Sequence, residues 1–185
     1  MQLNTLAIVH EFLERHVAPG AVCIDATAGK GRDTALLCRL AGSSGRVLAF
    51  DIQPEAIAQT RALLAREGLA AQVIQDSHAH MERYAPPGSV DCVVFNFGRL
   101  PGGDPTVFTQ PESSVAAIAA GLRLLKPGGV MAIALYYGKE NGYGERQAVL
   151  EHLAALDDRA FSVLSCHWAN RRNDPPMPIF IWKER

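Results

Sequence analysis

Ten residues with the types and spacing for chemistry run from Asp25 to Thr34: Asp25-Ala-Thr-Ala-Gly29-Lys-Gly31-Arg-Asp33-Thr34. They follow the apolar run Val22-Cys-Ile24 and lead into a helix-like segment. An acid, then a Gly-x-Gly turn, puts a nearly side-chain-free loop at the carboxyl end of a strand, where open α/β sheets bind adenosine-containing ligands. Asp51 ends the next apolar run, about 20 residues after the second glycine, where an acid can hold both hydroxyls of a ribose. Asp25, Ala26, Gly29, Gly31 and Asp51, with the adjacent Ile52 and Gln53, are therefore candidate adenosine-binding residues. A dinucleotide turn wants a third glycine to meet a pyrophosphate. Thr34 stands in its place, and Asp33 puts a negative charge in the first helical turn. These charges suit a cationic ligand without phosphate. S-adenosylmethionine, with a sulfonium and an amino group that Asp25 can face, has that chemistry. The competing reading is a tight turn with no ligand.

Asp76, Ser77 and His78 follow the third apolar run. An acid or hydroxyl there can bond the exocyclic amine of adenine, or can serve only as a helix N-cap. The segment Asn96-Phe-Gly98-Arg99-Leu100-Pro-Gly-Gly-Asp104 reads as a loop after the fourth run, facing the same crevice. Asn96, with carbonyls around Gly98, can accept hydrogen bonds from an amine and aim its lone pair at a methyl group. The sulfonium is already activated, so no covalent intermediate is required. The competing reading is a glycine-rich surface turn. Two further segments combine aromatics with cations: Tyr136-Tyr137-Gly-Lys139, and Trp168-Ala-Asn170-Arg171-Arg172-Asn173. Aromatics stack on bases while Arg and Lys hold phosphates, so these are candidate substrate-binding residues together with Arg99 and Leu100. His10, His16 and His152 fall on expected helices and read as surface residues, and no ligand set has metal spacing, so no metal is expected.

The elements that must hold these residues alternate. Helices are expected over Leu3–His16, Arg32–Ala41, Pro54–Glu67, Ser113–Leu125 and Gly144–Ala155, with a short one over His78–Tyr84. Strands are expected over Ala21–Asp25, Arg46–Asp51, Gln72–Gln75, Val90–Phe95, Val130–Leu135, Phe161–His167 and Pro178–Trp182. Such β-α repeats with near-continuous apolar strands imply a parallel sheet covered on both faces. The last two strands lack a helix between them and should form an antiparallel hairpin. With 185 residues, the chain is expected to form a single domain over 1–185.

The 18 Lys and Arg nearly balance 19 Asp and Glu, which removes any global pull toward nucleic acid or anionic membrane but not a local basic patch. Four cysteines without a C-x-x-C pair read as buried, reduced thiols. The first residues carry no signal-peptide pattern and no run is long enough to span a bilayer, so a cytoplasmic location is expected. The oligomeric state stays open, a homodimer among the options.

Asp25–Thr34, Ala49–Gln53, Ser77-His78, Phe95–Asp104 and Asn170–Pro176 together resemble the YtqB-like "putative rRNA methylase" family, in order over almost the whole chain. The Asn-x-Gly-x-Leu-Pro-Gly-Gly-Asp block is the most specific part. The resemblance implies a Rossmann-like class I S-adenosylmethionine-dependent methyltransferase. The family includes the tRNA wobble-uridine enzyme MnmM, so it also implies tRNA, at the anticodon stem-loop, as partner. The implied reaction is methylation of the 5-aminomethyl group of (2-thio)uridine. By position, Asp25, Gly29 and Gly31 would shape the cofactor loop, and Asp51 and Gln53 would hold the ribose. Ser77 and His78 would lie near adenine, Asn96 and Gly98 between cofactor and amine, and Asn170 and Asn173 in the substrate loop. The chain departs from the family at Lys30, Arg32 and Arg99, and at Tyr137 and Lys139, where the family tends to have histidines. A methyltransferase of rRNA or of a small amine metabolite, a nicotinamide-dependent oxidoreductase, and a non-catalytic tRNA-binding module are the alternatives.

Overall fold

A computed structural model describes residues 3–98, 109–137 and 142–185. The chain order is α1 (Thr5–His16), β1 (Val22–Asp25), α2 (Arg32–Ala41), β2 (Arg46–Asp51), α3 (Pro54–Glu67) and β3 (Gln72–Gln75). A 3-10 helix (His78–Arg83) follows, then β4 (Val90–Phe97), α4 (Pro111–Leu124), β5 (Leu125–Leu135), α5 (Gly142–Ala154), β6 (Phe161–Ser165) and β7 (Met177–Lys183). The strands form one seven-stranded sheet in the order β3-β2-β1-β4-β5-β7-β6. The first five run parallel, while β7 pairs antiparallel with both β5 and β6.

Period-two alternation sorts the core into two layers. From β5, Met131, Ile133 and Leu135 pack with Ile118 of α4 and Val149 of α5. The residues between them, Val130, Ala132 and Ala134, face Val9 and Leu13 of α1 and Leu37 of α2. In β4 the same rule sends Val93, Phe95 and Phe97 to the α4–α5 layer and Cys92 and Val94 to the α1–α2 layer. Asn96 is next in the second series and so lies on the side of α1 and α2, at the carboxyl edge.

The chain steps outward from β1 to β2 and β3, then crosses back to place β4 on the other side of β1. This reversal opens a crevice at the carboxyl ends of β1 and β4, the place where such sheets take ligands.

Several boundaries differ from the sequence reading. β4 continues two residues beyond Phe95, because Asn96 and Phe97 pair with Ala134 and Leu135. Asn96 therefore sits on a central strand rather than in the loop after it. β5 starts at Leu125, so Lys126-Pro-Gly-Gly129 lies within a strand instead of closing a helix. A register shift between Val90 and Cys92 takes up the extra residues, and Lys126 pairs with Asp91 there. α4 begins at Pro111, two residues early, because Gln110 and Ser113 form a capping box.

All four cysteines are free. Cys23 and Cys92 are side by side in the β1–β4 register and fully buried, Cys38 is buried on α2, and Cys166 is partly exposed. Burial pushes the Cys38 thiol up to about 11.

Candidate active site

The glycine turn is tied down from two sides, by Asp51 of β2 and Thr60 of α3. Gly29 N–H donates to Asp51 Oδ2 at 2.9 Å, and Gln53 N–H donates to Oδ1 of the same carboxylate at 3.0 Å. Each oxygen keeps a second lone pair, enough for two ribose hydroxyls. Thr60 of α3 is fully buried, and its hydroxyl donates to Gly29 O at 3.2 Å. Gly31 has φ +79°, and a Cβ there would lie 2.9 Å from the Thr60 Cα. Only glycine allows that approach. Sequence reasoning missed Thr60, because it meets the turn from a helix 31 residues away.

Asp25 is fully buried at the end of β1. Its Oδ2 accepts from the Thr34 hydroxyl at 2.6 Å and its Oδ1 from Thr27 N–H at 3.2 Å. Burial, then repulsion from Asp33, raises its pKa to about 7. Ile52 is 57% exposed although apolar, at the carboxyl end of β2, so it offers a bare aliphatic surface beside the Asp51 carboxylate.

Asp33 is 7% exposed and is committed on both oxygens. Oδ1 lies 2.6 Å from His10 Nε2 of α1, and Oδ2 accepts from Asn96 Nδ2 at 2.5 Å. A carboxylate only accepts, so the Asn96 NH2 group must face it and Asn96 Oδ1 must face away. That Oδ1 is shielded from water and has no partner among the described residues. An acceptor buried without a partner is costly and marks a place for a ligand donor. The Asn96 backbone is fixed as well, its N–H donating to Thr27 Oγ1 at 2.7 Å.

His10 is thus no surface bystander. The Asp33 hydrogen bond raises its pKa despite partial burial. His16 is exposed, as read from the sequence, with its ring stacked on Phe12 at 4.1 Å. His152 Nε2 is buried.

Gly98, at φ +143°, brings the end of β4 against Tyr136, where a Cβ would lie 3.1 Å from the tyrosine Cβ. Gly98 and Thr109 bridge each other, Thr109 N–H donating to Gly98 O at 2.9 Å and Gly98 N–H to Thr109 Oγ1 at 2.8 Å. Tyr136 is 37% exposed, and burial with the nearby Asp33 charge raises its phenol pKa.

Across the crevice, Asp76 is spent on its own turn. Its Oδ1 accepts from Ser77 N–H and from His80 Nδ1, both at 2.7 Å, and its Oδ2 accepts from Tyr84 OH at 2.9 Å. The His80 hydrogen bond leads in lowering its pKa to about 2. Ser77 Oγ accepts from Ala79 N–H and caps the 3-10 helix. His78 is held against Phe95 and Phe97 edge-to-face, with Nδ1 3.3 Å from Ala26 O. Burial lowers its pKa, which favours the neutral ring.

Trp168 is engaged on one face by Arg171, whose guanidinium lies 3.6 Å from the ring centre. Its indole N–H donates to Pro176 O at 3.2 Å. Arg171 also donates to Leu3 O at 2.5 Å, so the β6–β7 loop is tied to the start of α1. Tyr143 donates to Asp174 at 2.6 Å and ties the same loop to α5. Asn170, Arg172 and Asn173 are exposed on this loop. Tyr137 has Arg146 over its ring at 4.8 Å. Arg99, Leu100 and Lys139 lie outside the described residues. Among the described residues there is no group of three or more metal-type ligands.

Residues 47–182 match the family described as "Putative rRNA methylase". The chain belongs to this family. A "putative rRNA-methylase" from Clostridium thermocellum is 37% identical, with 99% of each chain covered and a TM-score of 0.96. A "putative methyltransferase" from Streptococcus mutans, crystallised in complex with SAH, is 35% identical over 99% of each chain, with a TM-score of 0.89. The chloroplastic tRNA (mnm(5)s(2)U34)-methyltransferase of Arabidopsis thaliana is 33% identical over 77% of this chain. The chain spans 56% of that relative's length. Its fold is that of the class I S-adenosylmethionine-dependent methyltransferases.

Proposed function

We propose that the protein methylates an amine on RNA, and that the amine is the 5-aminomethyl group of a uridine at the tRNA wobble position. The observation that carries the reading is Asn96 Oδ1, a lone acceptor held by Asp33 at the carboxyl edge of β4.

The residues present suit S-adenosylmethionine. Asp51 keeps free lone pairs for the ribose, and Ile52 offers an apolar surface to the adenine. Buried acids at Asp25 and Asp33 suit a cation, and the turn lacks a third glycine for pyrophosphate. Ala26, Gly29, Gly31 and Thr34 would shape the cofactor loop, with Gln53, Ser77 and His78 at its rim. The internal bonds of Asp76 favour a supporting role there over direct contact with adenine. The bound cofactor would supply an electrophilic methyl group on a sulfonium.

What the protein must add is position. Asn96 Oδ1 accepts an N–H of the neutral amine and fixes the direction of its lone pair. Asp33 is committed to His10 and Asn96, so the proton released after transfer goes to water. Tyr136, exposed beside Gly98, is better placed to stack on a flipped-out base than Trp168, which Arg171 covers. Arg171, Arg172, Asn170 and Asn173 would track the RNA backbone, with Arg99, Leu100, Tyr137 and Lys139 completing the substrate side.

The test is nucleoside mass spectrometry on tRNA incubated with the protein and isotope-labelled S-adenosylmethionine. Label on methylaminomethyl-uridine at position 34 is expected when the tRNA comes from cells lacking the gene. Label in rRNA nucleosides or in a small-molecule fraction, with none in tRNA, would refute the tRNA assignment.

A further inference from the structure

Asn96 does not choose its own orientation. An amide has two nearly isosteric ends, and rotating it by half a turn would put NH2 where the acceptor now stands. Such a turned amide would meet an incoming amine donor to donor. What prevents this is the Asp33 carboxylate, which accepts only while it is ionised. Asp33 is nearly buried, with little water to solvate it, so its carboxylate needs a partner of opposite charge. The compensating cation is His10, with Nε2 2.6 Å from Asp33 Oδ1.

The relay thus runs from α1 through the start of α2 to the end of β4. We propose that His10 is a positioning residue for methyl transfer, acting through Asp33 to hold the Asn96 amide with its oxygen turned toward the substrate amine. This rests on the role of Asn96 given above. His10 touches neither cofactor nor substrate in this scheme.

The groups around His10 support a cation there. Asp33 and Arg39 reach it from α2, and Glu14 from its own helix. β5 and β7 also pack on α1, but their charged residues are engaged elsewhere. Lys126 pairs with Asp91, and Lys183 donates to the Leu122 and Leu125 carbonyls. Asp33 and Glu14 favour the imidazolium, while Arg39 and burial oppose it.

Two measurements on the full-length protein test the relay. The first needs no RNA: the Asn96 side-chain NH2 resonances are followed by 15N NMR while pH is raised. In the wild type they should move with the midpoint of the His10 ring, and in His10→Ala that step should vanish. The second is the single-turnover rate with tRNA carrying the free amine. His10→Ala should slow transfer by about 10- to 100-fold, the penalty of a misplaced reacting group. Affinity for S-adenosylhomocysteine should change little by comparison. His10→Lys, which restores a cation and a donor, should recover most of the rate. The proposal is overturned if the Asn96 resonances ignore the His10 titration, or if His10→Ala transfers methyl at the wild-type rate. It is also overturned if Lys at this position rescues nothing while the protein stays folded. If wild-type protein leaves every RNA unmethylated, the substrate reading fails while the NMR experiment still decides the relay.

Discussion

At the residue scale, the site is a small set of acids whose charges are spent in different ways. Asp51 spends part of its capacity on the glycine turn and keeps the rest. Asp33 is spent on His10 and Asn96. Asp25 is buried with only a hydroxyl and an amide N–H to hold it, so its proton is retained to about pH 7. An unfolded chain would release that proton near its ordinary value of 3.8. Between these values the native state binds more protons than the unfolded one, so the contribution of Asp25 to stability falls as pH rises. Asp25→Asn should therefore melt higher than wild type at pH 8, with the advantage shrinking toward pH 4 in thermal scans. The same variant should bind S-adenosylmethionine more weakly, because a cation no longer meets a carboxylate. Asn96→Ala should behave differently. Transfer should drop by about 100-fold or more, as when one preorganised polar group is removed from an active site. Cofactor affinity, read by calorimetry, should move far less. Unchanged turnover would refute the role given to Asn96.

At the scale of elements, the side proposed to meet substrate is built by tying three pieces together. The β6–β7 loop is joined to α1 by Arg171 and to α5 by Tyr143, so it is anchored at two points. Arg171 and Arg172 should then separate in their effects. Arg172→Ala should weaken RNA binding and lower the salt slope by about one unit, with no change in melting temperature. Arg171→Ala should do the same and also lower the melting temperature, since it covers Trp168 and holds Leu3 O. Equal melting temperatures for the two would contradict the anchoring role.

These elements were largely legible in the sequence, because apolar runs, glycines and prolines mark them locally. Asp25, Gly31 and Asp51 were legible for the same reason, being fixed by short-range spacing. The boundary of β4 was not. Its polar Asn96 ends the apolar pattern at Phe95, yet pairing with Ala134 carries the strand onward. The His10–Asp33–Asn96 relay was not legible either. Its members are separated by 23 and 63 residues and meet only because α1 and α2 cover the same face of the sheet. No local pattern distinguishes His10 from an ordinary helix histidine, and Thr60 is hidden in the same way.

At the scale of the whole molecule, the reversal of strand order between β1 and β4 creates the crevice, and two core layers hold it from either side. No helix among the described residues is long and apolar enough to cross a membrane. Family membership and the match to the Clostridium thermocellum structure agree with the sheet order and with the antiparallel β7. The thiols laid along this sheet give it a built-in reporter. Cys23 and Cys92 lie side by side in the core layer under α1 and α2, Cys38 is buried in the same layer on α2, and Cys166 is partly open to solvent. A sulfhydryl reagent should label one thiol at once and the other three only when the core layer under α1 and α2 opens. Added S-adenosylhomocysteine should lengthen the slow phase and leave the fast one alone. Four equally fast thiols in the folded protein would mean that this layer does not stay shut. The chain thus carries a clock for the opening of its own α1–α2 layer, read by chemical labelling without any RNA present.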